Sequence, residues 1–369
     1  MKETDIAVIG GGPAGLSAAL YSASLGARVI LLDDGLELGG QLIKQTHKFF
    51  GSAAQFAGIR GIEIAYKLIQ EVKNHKNIEL LVNTTVTGYY EDGILTAVQG
   101  INGEILIKIK AERIILATGA AENMLPFLNN DLPGVYGAGA VQTLMNVYGV
   151  VPGENILMIG AGNIGLIVTY QLLQAKIKVA AIVEALPRIG GYLVHASKVR
   201  RLGVPIYTSH TLKEVYGTES VEKAVIAEID EKFRFIPRTE KEFLVDTICL
   251  AVGLSPLSDL LWQAGCEMRF VAELGGYVAL RDENMRTTKE NIYIAGDVAG
   301  IEEASSAMLE GQIAGLNAAL SIGLKCKNYQ KLNNTLKEEL AALRANPLSE
   351  KIEVGLKKVL IKREGATLC

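Results

Sequence analysis

Apolar runs of about four to six residues alternate along this chain with longer stretches rich in small or amphipathic residues, the rhythm of strands and helices in an α/β protein. Ile6-Ala7-Val8-Ile9 reads as a buried strand, the Ala- and Ser-rich segment 16–23 as a helix lying close on a sheet, and 28–32 as a second strand. The same order returns at 155–159 (strand), through about Ala175 (helix) and at 178–183 (strand). Further buried strands are expected at 114–117, 247–251 and 291–295, with a long helix from about Glu302 to Leu320. No apolar run is long enough to cross a membrane.

Glycine punctuates both strand–helix junctions at one spacing. Gly10-Gly11-Gly12-Pro13-Ala14-Gly15 follows the first strand, and Gly160-Ala161-Gly162-Asn163-Ile164-Gly165 follows the later one. In this pattern the first glycine allows a tight turn, the second lets backbone approach a pyrophosphate, and the third lets helix touch strand. Free N–H groups at the helix start then face the phosphate charge. Each unit also ends its second strand in an acid suited to a ribose hydroxyl pair: Asp33, followed by Asp34, 18 residues beyond Gly15, and Glu184, 19 residues beyond Gly165. The extra residue of the second unit is expected in a longer helix–strand turn around Lys176-Ile177. Two complete units of this kind predict two nucleotide sites and electron passage between them.

The 369 residues allow two or three domains, and 49% hydrophobic content supplies their cores. A net charge of −3, with acids and bases interspersed, excludes a nucleic-acid surface or a basic membrane stripe. Acids among the first five residues do not suit a secretory signal, so a cytoplasmic location is expected. Cys249, Cys266, Cys326 and Cys369 form no Cys-x-x-Cys pair, which disfavours thiol–disulfide chemistry; Cys249, in an apolar strand, reads as a small buried hydrophobe. No metal site is expected.

Three more segments narrow the reading: Ala117-Thr118-Gly119 after a buried strand, its counterpart Ala251-Val252-Gly253, and Ala295-Gly296-Asp297 before the long helix. With the two glycine turns they resemble the flavoproteins with two dinucleotide-binding domains, the superfamily of thioredoxin and glutathione reductases, over roughly residues 4–322. The resemblance implies two Rossmann-like, three-layer ββα domains, the second inserted in the first. An FAD domain would span 1–120 and 254–323, an NAD(H) domain 121–253, and a helical tail 324–369.

It also implies roles. Gly10, Gly12, Pro13, Ala14 and Gly15 would cradle the FAD pyrophosphate, Asp33 and Asp34 would serve the adenosine ribose, and Val86 would meet the adenine. Gly39, Gly40, Gln41 and Thr46 would lie along the flavin, with Ala117, Thr118 and Gly119 at the crossover. Gly296 and Asp297 would serve the ribityl chain, and Ser305 and Ser306 would open a helix aimed at the flavin pyrimidine. Gly160, Gly162, Asn163, Ile164, Gly165 and Glu184 would hold the second nucleotide. A carboxylate at Glu184 favours NAD(H) over NADP(H), because it repels a 2′-phosphate. Arg188, Arg200 and Arg201 leave a rescue of that phosphate open, and a structural adenine nucleotide remains an alternative occupant.

Gly39-Gly40-Gln41-Leu42 without a dithiol, together with the tail, resembles the NADH-side subunits of heteromeric amine and amino-acid dehydrogenases: sarcosine oxidase alpha, opine oxidase A, hydrogen cyanide synthase B and dye-linked proline dehydrogenase alpha. The resemblance implies hydride transfer between NAD(H) and FAD, a second flavoprotein subunit and a hetero- or homo-oligomer; any iron–sulfur centre would need another polypeptide. The rivals are a stand-alone NADH oxidase or quinone reductase and a non-catalytic FAD- or adenine-nucleotide-binding scaffold. No side-chain acid or base is demanded, so no catalytic residue is assigned. His47 and Lys44 are candidates for proton transfer and for steadying anionic flavin, against packing or surface roles, and Trp262 reads as structural. The tail, with Leu332, Leu336, Leu340 and Leu343 at helical spacing and a basic run 351–363, reads as a docking helix or a frayed surface helix.

Overall fold

The computed structural model describes residues 1–49, 53–346 and 349–362. Position 363 of the basic run and Cys369, noted above, lie outside the described residues. The chain divides into two compact units, one of 1–43, 48–121 and 255–369, the other of 44–47 and 122–254.

In the first unit, strand Lys2–Ile9 lies at the centre of a sheet, parallel to Val29–Leu32 on one side and to Ile105–Leu116 on the other. Ile105–Leu116 serves two layers. Its second half pairs in parallel with Ile292–Ile294, while its first half pairs antiparallel with Ile94–Gln99, which continues to Thr84–Tyr89. A parallel sheet, helices and an antiparallel layer thus share one core, as the ββα reading requires.

Helix Pro13–Ser24 packs on that sheet and also against helix Ala304–Ser321. The second contact is backbone on backbone: a Cβ on Gly311 would fall 2.1 Å from the carbonyl oxygen of Ala14, and one on Gly315 2.4 Å from that of Ala18. Ser22 Oγ donates to the Gly315 carbonyl at 3.1 Å. The small residues of segment 16–23 therefore serve a helix–helix contact as well as the sheet.

The tail corrects the docking reading. Helix Tyr329–Arg344 buries Leu336 and Leu340 in the first unit's main core, with Leu332 and Leu343 packed beside them. Helix Glu350–Val359 closes a smaller core with Leu356 and Val359 against Val271, Leu274, Val278 and Leu280. Its last turn is tied to the sheet side, since the Arg281 N–H donates to the Val359 carbonyl at 3.1 Å. The apolar stripe was visible in the sequence, but its partner is a helix buried on every face and carries no complementary stripe.

The second unit repeats the parallel core in the strand order Ile206–Tyr207, Lys178–Val183, Asn155–Ile159, Thr247–Leu250, Val135–Gly137. An antiparallel sheet of His210–Tyr216, Lys223–Glu228 and Lys241–Leu244 accompanies it. Its extra residue is not in the turn around Lys176-Ile177. The turns after both helices share the two bonds that close them: Gly26 N–H donates to Ala23 and Ala27 N–H to Ser22, while Lys176 N–H donates to Leu173 and Ile177 N–H to Leu172. Lys176 even takes φ +63°, where Gly26 has +99°. The surplus residue is Ala180, bulged between Val179, opposite Ile156, and Ala181, opposite Leu157. A bulge lengthens one strand without disturbing the loop beyond it, so Glu184 still reaches its turn.

Among the described residues no helix is long and apolar enough to cross a membrane.

Candidate functional site

In the first unit the glycine turn is enforced by contact. Gly10 has φ +105°, and a Cβ there would lie 2.2 Å from the Ala117 carbonyl oxygen, so strand end and crossover segment touch through bare backbone. Gly15 leaves even less room, since its Cβ would fall 1.7 Å from the Gly10 oxygen. Pro13 opens the helix after the extended Gly12, where its missing N–H costs no intrahelical bond.

Asp33 then locks the turn. Its Oδ2 accepts from Gly11 N–H at 2.5 Å and its Oδ1 from Gly35 N–H at 2.8 Å. Burial raises its pKa above the ordinary carboxylate value, against the pull of those two amide bonds. Asp34 is exposed. Gly39 N–H donates to the Gly11 carbonyl at 2.8 Å, and Gly40, at φ +51°, stands so close that a Cβ would lie 2.8 Å from Gly12 Cα. Gln41 is exposed beside them. Val86 packs at the edge of the core on strand Thr84–Tyr89, whose first amide is bonded to the Asp33 carbonyl.

The C-terminal motif arrives at the same place. Gly296, φ +76°, sets its Cα where a Cβ would be 2.9 Å from Ala14 Cβ, and Asp297 follows at once. Burial pushes the Asp297 carboxyl up to about 6; the Glu302 N–H bond opposes this, and the carboxylates of Glu310 and Glu302 add to it. Ser305 and Ser306 are buried in the first turn of Ala304–Ser321. Thr118 Oγ1 donates to the Leu257 carbonyl at 2.8 Å, and an added Cβ on Gly119, φ +74°, would meet nothing within 4 Å. The start of helix Pro13–Ser24 thus lies beside two carboxyl groups, Asp33 on its glycine turn and the buried Asp297 next to Gly296. Bare-backbone loops that a Cβ would fill are what a pyrophosphate-bearing dinucleotide such as FAD needs.

A buried acid with a raised pKa opposes folding when ionised, and the sign follows from linkage. The unfolded carboxyl ionises from about 3.8, the folded one only near 6, so the folded state gains stability as pH falls through that window and loses it as pH rises. Asp297→Asn is therefore expected to stabilise the flavin-free protein at pH 7.5 by on the order of 2–3 kcal/mol, the gain vanishing toward pH 4. Thermal melts of both apoproteins across pH check this, and a constant difference would contradict it.

The second unit shows the same grammar. Gly160, φ +107°, would meet the Ala251 oxygen at 2.2 Å and Gly165 the Gly160 oxygen at 2.1 Å; a Cβ on Gly162 would be in open space. Glu184 accepts from Ala161 N–H at 2.8 Å and Leu186 N–H at 2.9 Å, atom for atom the bridge that Asp33 builds. Asn163 Oδ1 accepts from Tyr192 N–H at 2.8 Å, and Ile164 is exposed. Arg188, Arg200 and Arg201 are exposed.

One correspondence was missed in the sequence. Gly190-Gly191-Tyr192-Leu193 stands to Glu184 as Gly39-Gly40-Gln41-Leu42 stands to Asp33, the pair of glycines beginning six residues after the acid. Gly190 and Gly191 both donate N–H to the Ala161 carbonyl, as Gly39 does to Gly11. The repeated interval was the signal.

Thr46 is not grouped with Gly39, Gly40 and Gln41. It belongs to the second unit, where its hydroxyl accepts from Gln171 Nε2 at 2.8 Å. Lys44, in the same segment, donates Nζ to the Gly139 carbonyl at 3.0 Å and to Thr143 at 3.3 Å; burial lowers its pKa. His47 is pushed down to about 4 by burial, with His195 and Lys198 adding to the shift, and is neutral at neutral pH. Trp262 is half-exposed, edge-on to Tyr277. Cys249 and Cys266 are buried with thiols pushed up by desolvation, and Cys326 is half-buried. Among the described residues no group of His, Cys, Asp and Glu could hold a metal ion.

The family model of the pyridine nucleotide-disulphide oxidoreductases matches residues 4–311. The chain belongs to that family. Membership implies FAD and a nicotinamide nucleotide as the bound groups, which agrees with the two cradles. Among curated relatives, the alpha subunit of sarcosine oxidase from Rhizobium meliloti (strain 1021) is 29% identical over 87% of this chain, which spans only 31% of that protein. Opine oxidase A from Agrobacterium tumefaciens (strain Ach5) is 29% identical, with 92% of this chain and 70% of the relative covered. Hydrogen cyanide synthase subunit HcnB of Pseudomonas protegens is 26% identical, with 86% and 70% covered. Among solved structures, L-proline dehydrogenase from P. horikoshii superposes with a TM-score of 0.69 at 27% identity, over 90% of this chain and 59% of that one. Thioredoxin reductase from T. acidophilum shares the fold, at a TM-score of 0.70 and 21% identity over 87% of this chain and 99% of its own.

Proposed function

We propose that this family member is the NADH-oxidising flavoprotein subunit of an amine or amino-acid dehydrogenase complex, with FAD in the first unit and NAD(H) in the second. The observation that carries the reading is the duplicated bridge: Asp33 on Gly11 and Gly35, Glu184 on Ala161 and Leu186. Each holds a glycine turn open for a pyrophosphate while keeping spare lone pairs for ribose hydroxyls.

When bound, FAD supplies a two-electron acceptor for the nicotinamide hydride and a donor to the next carrier. The chain's own residues would bind and orient it. The turn from Gly10 to Gly15 would cradle the pyrophosphate, with the amides at the helix start facing phosphate while the Gly10 amide stays bonded to the Leu32 carbonyl; Asp297 would accept from the ribityl chain, and the helix start at Ser305 and Ser306 would favour negative charge at the pyrimidine end. Burial of Cys249 and Cys266 as neutral thiols fits a protein whose electrons leave through a partner and not through a dithiol. The partner would be a second flavoprotein subunit, joined by an iron–sulfur subunit, with the complex in the cytoplasm. Purification of the native protein with identification of its companions tests this; a lone polypeptide that turns over NADH with oxygen would favour an oxidase instead.

Glu184 sets the choice of nucleotide, because its carboxylate accepts from a 2′-hydroxyl but repels a 2′-phosphate. Glu184→Arg is expected to reduce the NADH over NADPH preference at least tenfold in anaerobic flavin-reduction kinetics. An unchanged ratio would remove Glu184 from the ribose.

A further inference from the structure

The buried charges around Asp297 come from four separate segments, and one of them is the tail. Glu310, on helix Ala304–Ser321, accepts at Oε1 from Arg281 Nη2 (3.0 Å) and Arg344 Nη2 (2.7 Å), and at Oε2 from the Gly296 N–H (2.9 Å). Glu302 takes both remaining bonds of Arg344: Nε to Oε2 at 2.9 Å and Nη2 to Oε1 at 2.6 Å. Glu302 N–H in turn donates to Asp297 Oδ1 at 3.3 Å. Side-chain exposure is 2% for Arg281, 3% for Glu310, 9% for Glu302 and 14% for Arg344.

Three carboxylates thus face two guanidinium groups. Arg281 makes no hydrogen bond to Glu302: its Nη2 goes to Glu310, and its Nε and Nη1 are buried with no hydrogen-bond partner among the described residues, so it acts on Glu302 only through its charge. The cation that holds Glu302 is Arg344. Burial opposes the Arg344 charge, but Glu310 and Glu302 outweigh it and hold its pKa above the ordinary value.

We propose that Arg344, on the tail helix Tyr329–Arg344, is a positioning residue for the flavin: its guanidinium neutralises the Glu302–Glu310 pair and so fixes the Gly296–Asp297 turn and the start of helix Ala304–Ser321. The tail is then a brace of the cofactor site. The inference rests on the FAD reading above. Its chemistry is local. Without this cation, Glu302 and Glu310 repel each other across a desolvated gap, and relief comes from moving the loop or taking up a proton. Loop movement pulls the Gly296 amide and Asp297 from their places.

The test compares FAD dissociation constants of wild type, Arg344→Met, Arg344→Lys and Leu336→Ala, from pH 6 to pH 8, with a thermal melt of each apoprotein. Leu336 is buried in the same helix and carries no charge, so its truncation loosens the brace without touching the ion pairs. The groups that titrate or carry charge around the turn are Asp297, Glu302, Glu310, Arg281 and Arg344. Arg344→Met is expected to weaken FAD binding at least tenfold at pH 8, with the ratio to wild type shrinking as pH falls and carboxylates protonate. Arg344→Lys should recover part of the loss, and Leu336→Ala should lower the melting temperature with a flat pH ratio. A flat ratio for Arg344→Met, or wild-type affinity, overturns the proposal while leaving the FAD reading standing. Failure of wild type to bind FAD overturns both.

Discussion

Gly15→Ala is expected to yield a colourless protein. The added methyl would lie 1.7 Å from the Gly10 oxygen and 2.9 Å from the Gly10 carbonyl carbon, both backbone atoms that no rotamer change can move aside. Helix Pro13–Ser24 must therefore lift from the turn, and its free amides leave the line on which phosphate would sit. Overpacking alone costs typically about 1–3 kcal/mol, and the loss of aligned charge-assisted bonds comes on top of that. Flavin affinity should fall at least a hundredfold, measured by absorbance of the purified protein and by titration of apoprotein with FAD. Gly26→Asn is the control: it sits at positive φ with nothing within 4 Å of an added Cβ, and it should stay yellow. A yellow Gly15→Ala of wild-type affinity would show that the first turn does not grip a pyrophosphate.

The largest loss of folding stability is expected from Glu310→Ala. That carboxylate is shared by Arg281, Arg344 and the Gly296 amide, and its removal leaves the Arg281 guanidinium buried without the carboxylate it is bonded to. Breaking one side of a buried pair costs about 3–5 kcal/mol, which in a domain of this size is a drop of roughly 10 °C in melting temperature. The double variant Arg281→Met with Glu310→Leu should recover most of it, since well-packed apolar groups often replace a buried pair at little cost. Calorimetry of the three proteins without flavin decides. A double variant no better than Glu310→Ala would show that packing, and not the stranded charge, sets the loss.

The glycine turns were legible because backbone demands leave a mark in the sequence. Gly10, Gly15, Gly160 and Gly165 each stand where a Cβ has no room, and the acids at Asp33 and Glu184 close each unit at a spacing the topology dictates. Contacts made between distant segments leave no such mark. Arg281, Glu310 and Arg344 are separated by dozens of residues and look like ordinary surface charges until Leu336 and Leu340 bring the tail helix onto the core. Thr46 was placed by resemblance with Gly40 and Gln41, but the segment 44–47 groups with the second unit, where Thr46 bonds Gln171, and no local pattern announces that. The bulge at Ala180 is a third case, since a surplus residue can be absorbed by a turn or a strand and only the pairing register tells which.

The glycine contact of helix Pro13–Ser24 with helix Ala304–Ser321 has a consequence of its own. Where side chains interdigitate, the gap between two helices widens or narrows whenever a substitution changes their bulk. Here peptide group rests on peptide group at Gly311 and Gly315, so the separation of the two helix starts is a dimension of the polypeptide itself, like the throw of a fixed caliper. Drift elsewhere in the core can cost stability, but it has no lever with which to reset that opening.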